Sequence, residues 1–141
     1  MKILVDADAC PVKSIILNHA KNRHIRVIMF IDTSHELDDG YSEVIMVDKT
    51  RDSADFALIK RTDPGDVVVT QDFGLAAMAL ARGARVLNQN GLIFTDENIG
   101  SLLSERHMSQ QIRRGGGRTT NHKKRCKDND KDFESAFLSL I

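Results

Sequence analysis

Cysteine is scarce in this chain: Cys10 and Cys126 are the only two among 141 residues, and their surroundings differ. That count speaks against a disulfide framework or a cysteine zinc site, and makes a reducing cytoplasm the expected compartment. Long apolar runs are missing too. No stretch approaches the roughly 20 apolar residues of a membrane span, so no membrane association is expected. At the N-terminus only Lys2 precedes a brief apolar run, which does not make a signal peptide. No internal repeat is visible. Aromatic residues make up 5% of the chain, and the basic region near the C-terminus lacks the interleaved aromatics that grip unpaired bases by stacking. Any nucleic-acid binding there is expected to be weakly sequence-specific.

What is present is the composition of one soluble domain with a real core, 41% apolar and 28% charged. The zero net charge hides an asymmetry. Residues 1–103 carry 11 Lys and Arg against 15 Asp and Glu, a balance of −4. Residues 104–127 carry Arg106, Arg113, Arg114, Arg118, Lys123, Lys124, Arg125 and Lys127 against Glu105 alone, a balance of +7. Residues 128–141 return to −3. An acidic body with a basic arm points to a polyanionic partner. The rival reading of the arm is a solvated tail that keeps the protein soluble.

The chain is organised around Ile3-Leu4-Val5-Asp6-Ala7-Asp8-Ala9-Cys10-Pro11. A short apolar run reads as a buried strand, and Pro11 suits the first position of a following helix. Asp6 and Asp8 then stand at the carboxyl end of the first strand. Pro11 to Asn22 reads as a helix with Val12, Ile15, Ile16 and Ala20 on one face. Ile25–Ile31 and Val44–Val47 read as strands, joined by a polar loop containing Asp39-Gly40. Ser53 to Arg61 predicts a mostly buried helix, Phe56 included. Val67–Thr70 predicts a fourth strand. Phe73 to Arg82 predicts a helix closed by Gly83, and Arg85–Leu87 a fifth strand. Leu92–Phe94 is another brief apolar run. Thr95 or Asp96 opens a helix running to about Arg114, stopped by Gly115-Gly116-Gly117. Arg118 to Lys127 has no apolar period. Phe133, Ala136, Phe137 and Leu140 have the spacing of an amphipathic helix.

Strand–helix alternation through residue 87 implies an α/β fold with a parallel sheet and helices on both faces. The step from the second to the third strand, with no helical pattern, is the weakest. Three regions result: an α/β body over 1–114, a basic arm over 115–129 and a C-terminal helix over 130–141. That helix must dock on its own body or on a neighbour, so it is also a candidate for self-association.

In such a sheet ligands bind at the carboxyl ends of the strands. Asp6 and Asp8 follow strand one, Asp52 and Asp55 share a face of the helix after strand three, and Asp72 follows strand four. All five lie at the same end. Carboxylates brought together repel unless a cation compensates them, and Mg²⁺ or Mn²⁺ takes oxygen ligands. Such ions activate water and neutralise charge in phosphoryl transfer. Thr70, or the helix starting near Phe73, can offer a hydroxyl or N–H groups to a phosphate oxygen, and Lys13 either reaches one or is a solvated lysine. Arg113, Arg114 and Arg118 are candidates to track a phosphate backbone. The plainer reading of Asp72 is a helix cap, and of Asp52 a carboxylate favoured by the helix dipole.

Several stretches together resemble the YaiI/YqxD family of uncharacterised bacterial proteins. They are Val5-Asp6-Ala7-Asp8-Ala9-Cys10-Pro11-Val12-Lys13, Asp52-Ser53-Ala54-Asp55, Val69-Thr70-Gln71-Asp72, Asn88-Gln89-Asn90-Gly91 and Arg113-Arg114-Gly115-Gly116-Gly117-Arg118. That family is similar in turn to PIN-like domains, many of them Mg²⁺- or Mn²⁺-dependent ribonucleases. The resemblance implies a three-layer PIN-like fold with a central, mainly parallel sheet. It implies Asp6 with Asp8, Asp52 with Asp55, and Thr70-x-Asp72 as the acidic positions, with Asp6, Asp8, Asp52 and Asp72 as metal ligands. Asp32 and Asp48 also end strands but match no position of that pattern and read as turn residues.

The expected function is therefore metal-dependent hydrolysis of RNA, or less so of single-stranded DNA. A fold alone does not fix it. One rival is a haloacid-dehalogenase-type phosphatase with Asp6 as nucleophile and Asp8 as general acid. Against it, Cys10 stands where that motif prefers Thr or Val, and no acidic pair follows a later strand. The other rival is a non-catalytic module that binds metal and nucleic acid. Cys10 has Ile16, not arginine, six residues on, so the cysteine-phosphatase loop is absent and the thiol reads as a small buried group. The histidines read as surface residues or lack ligand spacing.

Overall fold

A computed structural model describes residues 1–7, 10–32, 40–47, 53–105 and 127–141. In chain order it gives β1 (Lys2–Asp6), α1 (Lys13–Arg23), β2 (Arg26–Asp32), β3 (Glu43–Val47), α2 (Ser53–Lys60), β4 (Val67–Val69), α3 (Phe73–Ala81), β5 (Arg85–Leu87) and β6 (Ile93–Phe94). A helical stretch over 99–105, α4, and α5 (Lys127–Leu140) follow. The strands form one sheet in the order β3-β2-β1-β4-β5-β6. All neighbours are parallel except β6, which runs antiparallel to β5. The β2–β3 step, the least supported by periodicity, is parallel as well.

The alternation of side chains along each strand divides the core in two. Ile3, Val5, Val27, Met29, Val67, Val69 and Leu87 face one side, where Val12, Ile16 and Ala20 of the α1 region and Phe133 and Phe137 of α5 cover them. Leu4, Ile28, Phe30, Val68, Val86 and Phe94 face the other, under Leu58 of α2 and Leu75, Ala76 and Ala79 of α3. The result is three layers, helix on sheet on helix. Both faces of the central strands are dry, which is why they read as unbroken apolar runs.

Local signals account for most boundaries. Asp72 caps α3, and Gly83, with φ +86°, ends it: Ala84 N–H bonds Ala79 O at 3.1 Å and Gly83 N–H bonds Leu80 O at 2.9 Å. Other expectations shift. Pro11 lies in a turn and α1 begins at Lys13, with Val12 as its cap residue. Val12 is fully buried, so the chain dips into the core before the helix begins. Phe56 is 66% exposed rather than buried. At about 100° per residue it stands roughly 200° round the helix from Leu58, the residue that α2 commits to the core.

α5 begins at Lys127 rather than at 130 and packs beside α1 on the chain's own body. Phe133 and Phe137 are stacked with ring centroids 5.4 Å apart and are both fully buried. Near the end of the chain, Arg85 Nη1 donates to Leu140 O and Arg23 Nη1 to Ile141 O, both at 2.8 Å. In the N-terminal half of the helix, Gly91 lies against the backbone of Asp132. α5 therefore runs antiparallel to β5, its N-terminal half toward the carboxyl ends of the strands. His19, expected at the surface, belongs to this seam: its Nε2 lies 3.1 Å from Glu134 Oε1 and its ring 6.5 Å from that of Phe137. Its partners are too remote in sequence for local pattern to reveal. Among the described residues, no helix is long and apolar enough to cross a membrane.

Candidate functional site

β1 has β2 on one side and β4 on the other, so the direction of strand order reverses between β1 and β4. The α1 region covers one face of the sheet and α3 the other, and in open α/β sheets the crevice that takes ligands lies at the carboxyl ends of such strands. The register pairs Val5 with Val69. Asp6 and Thr70, the next residue on each strand, thus stand side by side although 64 positions apart.

Their side chains meet. Thr70 Oγ1 donates to Asp6 Oδ2 at 3.2 Å and accepts the backbone N–H of Asp72 at 3.0 Å. Asp72 Oδ1 in turn accepts from the N–H groups of Gly74 at 2.8 Å and Leu75 at 3.2 Å. Thr70 is buried, while Asp6 and Asp72 are half-buried at the rim. The backbone beneath is held on both sides: Ala7 N–H bonds Phe30 O at 2.9 Å, and Thr70 N–H bonds Leu87 O at 3.1 Å. One buried hydroxyl thus ties a strand-end carboxylate to the turn that carries a second.

Asp55 stands in the first turn of α2, half-buried, at the same end of the sheet. α2 packs against β1, β2 and β3. Lys13 opens α1, also at this end. Asp8, Asp52, Arg113, Arg114 and Arg118 lie outside the described residues. Among the described residues, no three His, Cys, Asp or Glu side chains form a metal-holding group. The cap reading of Asp72 holds: the cap is made through Oδ1.

Two features at this end were not foreseen from sequence. Asn88 Oδ1 accepts from Asn90 N–H at 2.9 Å and Leu92 N–H at 3.0 Å, which folds the turn after β5. Across the gap, Gln71 Nε2 donates to Gln89 Oε1, joining that turn to the one after β4. The Asn88–Gly91 stretch signals a turn, but only the pairing of β4 with β5 brings its side chains to Gln71.

A second charged cluster lies at the opposite end of the sheet. Lys2 Nζ bonds Asp66 Oδ2 at 2.6 Å and Asp63 Oδ2 at 2.7 Å, and Lys2 N–H bonds Asp66 Oδ1 at 3.1 Å. Burial alone would push the Asp66 carboxyl up. Hydrogen bonds from Lys2 Nζ and from the N–H groups of Asp63 and Lys2 outweigh it, holding the carboxyl below the ordinary range. Burial likewise opposes the charge on Lys2, but its two carboxylate partners raise the ammonium above its usual value. This cluster fastens β1 to the turn before β4, on the far side from the crevice.

The family described as "Uncharacterized BCR, YaiI/YqxD family" matches residues 4–141. The chain belongs to the YaiI/YqxD family. It is 64% identical over 141 residues to a UPF0178 protein of Ruminiclostridium cellulolyticum, covering all of this chain and 92% of that protein. A UPF0178 protein of Alkaliphilus oremlandii is 56% identical, with all of this chain and 91% of that one covered. Among solved structures, Rae1 (YacP) from Bacillus subtilis, crystallised as a point mutant, superposes with a TM-score of 0.46 at 18% identity, over 82% of this chain and 84% of that one. The YaiI/YqxD chain described above thus combines a three-layer α/β architecture with carboxylates at its switch point.

Proposed function

We propose that this YaiI/YqxD protein is a metal-dependent phosphodiesterase that hydrolyses RNA in the crevice between the ends of β1 and β4. The observation that carries the reading is the Asp6–Thr70–Asp72 contact at the point where strand order reverses. Helix capping explains Asp72 but not Asp6, which ends the neighbouring strand β1.

The donor set fits a hard cation. Mg²⁺ is commonly held by one or two carboxylates, keeping several waters and taking phosphate oxygens from the substrate. Asp6, Asp8, Asp52 and Asp72 would hold it, and Asp55 would act directly or through water. When bound, Mg²⁺ or Mn²⁺ supplies positive charge to the phosphate and a water of lowered pKa. Thr70 orients the Asp6 carboxylate by donating to one of its oxygens. Lys13 and the arginines 113, 114 and 118 would neutralise neighbouring phosphates of the chain. The basic arm, set against an acidic body, favours a polymeric anion over a small phosphomonoester.

The test is cleavage of end-labelled single-stranded RNA in Mn²⁺ or Mg²⁺ by wild type, Asp6→Asn and Asp8→Asn, purified in parallel. Wild type is expected to cleave only with metal, and the variants about 100-fold or more slowly. Equal rates in all three indicate a contaminating nuclease and sink the assignment. Failure of wild type on every RNA tried, with either metal, removes it as well. A phosphoenzyme trapped on Asp6 would instead establish the phosphatase reading.

A further inference from the structure

We infer that Gln71 and Gln89 form a base-reading subsite beside the carboxylates, one that takes the hydrogen-bonding edge of an unpaired RNA base. The inference rests on the nuclease reading and names what that site selects.

The two carboxamides occupy a defined place. The end of β1 and the turns after β4 and β5 lie in a row at the carboxyl end of the sheet. Asp6 stands on the first, Gln71 between Thr70 and Asp72 on the second, and Gln89 on the third. Neighbouring strands are about 4.8 Å apart, so the row spans about 10 Å, on the order of one nucleotide. A phosphate lodged at Asp6 would put an adjoining base over the glutamines.

The backbone under both is fixed. Thr70 N–H bonds Leu87 O, so the second and third turns leave from one hydrogen-bonded pair of strands. The third is closed by the Asn88 carboxamide and backed by Gly91 against α5. Gln71 is exposed and Gln89 half-buried, and Gln71 Nε2 donates to Gln89 Oε1.

The hydrogen bond between them adds little to the fold. Ordering glutamine side chains is entropically costly, and a neutral hydrogen bond at the surface offsets little of that cost. Recognition gives it a use. A carboxamide presents a donor and an acceptor side by side, and a base edge can use both whereas a phosphate oxygen uses only the donor. Being uncharged, the pair adds nothing to attraction for the backbone. It is therefore expected to govern which base is held and leave the electrostatic part of binding alone.

The experiment measures affinity for four phosphorothioate-linked RNA homopolymers in Mg²⁺ across a salt series. It compares wild type with Gln71→Met and Gln89→Met, which keep side-chain bulk and remove the amide. Equal thermal midpoints of the three proteins verify folding. Wild type is expected to favour one base over the weakest by about tenfold or more. In each variant that spread should fall to about twofold, with the slope of log affinity against log salt unchanged. A wild-type spread that both variants keep overturns the inference and leaves the RNA reading standing. So does a wild type that binds all four equally. A wild type that binds none of them overturns the inference and the RNA reading together.

Discussion

Replacing Gly91 with alanine probes how the C-terminal helix is held on the body. Gly91 has φ +88°, and left-handed backbone costs an L-residue about 1–2 kcal/mol. A Cβ there would stand 2.6 Å from the carbonyl oxygen of Asp132, 2.7 Å from its carbon and 3.0 Å from the nitrogen of Phe133. These are backbone atoms of α5, which cannot swing aside like the end of a side chain. Forcing α5 away is overpacking, typically about 1–3 kcal/mol. The two contributions together come to about 2–5 kcal/mol. Complete release of α5 would expose Phe133 and Phe137, at about 1.5–3 kcal/mol each, so strain and docking are of similar size. The expected outcome is a loss of about 3 kcal/mol and a thermal midpoint lowered by about 6–12 °C. Amide exchange across α5 should accelerate more than in β1 or β2. Gly65→Ala is the matched control: its φ is +87°, but a Cβ there meets nothing within 4 Å. It should lose only the conformational part, about 1–2 kcal/mol. Equal losses in the two variants, with α5 exchange unchanged in Gly91→Ala, would refute the seating of α5 on this turn.

Substitutions at Asp72 and at Asp66 test two further parts of the geometry. Asp72→Ala removes the cap of α3 and should cost about 1 kcal/mol in chemical denaturation, whereas Asp72→Asn retains a capping oxygen and should stay within a few tenths. If Asp72 also serves the site, the asparagine variant keeps its stability and loses metal-dependent cleavage; full cleavage would leave Asp72 a cap alone. Asp66→Asn weakens the cluster while Lys2 keeps Asp63, and should cost about 1–3 kcal/mol at pH 7. Because the folded carboxyl is held low, its contribution is present above the unfolded value near 3.9 and fades as pH falls through the lower folded value. The gap between wild type and Asp66→Asn should therefore close in acid, and urea denaturation showing a gap independent of pH would contradict the ion pair.

Much of the sheet was legible because its signals are local. Ile3-Leu4-Val5 and Val67-Val68-Val69 are apolar on both faces, and Asp72 and Gly83 bracket α3 with a cap and a left-handed stop. Legibility failed where a residue's surroundings come from distant chain. Phe56 was expected in the core because apolar character does not say which face a short helix buries. His19 was expected in solvent because its partners, Glu134 and Phe137, arrive with α5. At the site, the residue types and their strand-end positions were readable, whereas the hydrogen bond from Thr70 to Asp6 was not.

By itself the sequence determined the alternation of strands and helices, the family, and the presence of acidic residues where strands end. Each depends on neighbours within a turn or two, or on motif identity. Only the tertiary structure decided that β1 lies between β2 and β4. That order is a choice among non-local pairings of similar apolar strands, and no short window encodes it. From it follow the crevice, the Asp6–Thr70–Asp72 contact, the meeting of Gln71 with Gln89, and the face that α5 covers.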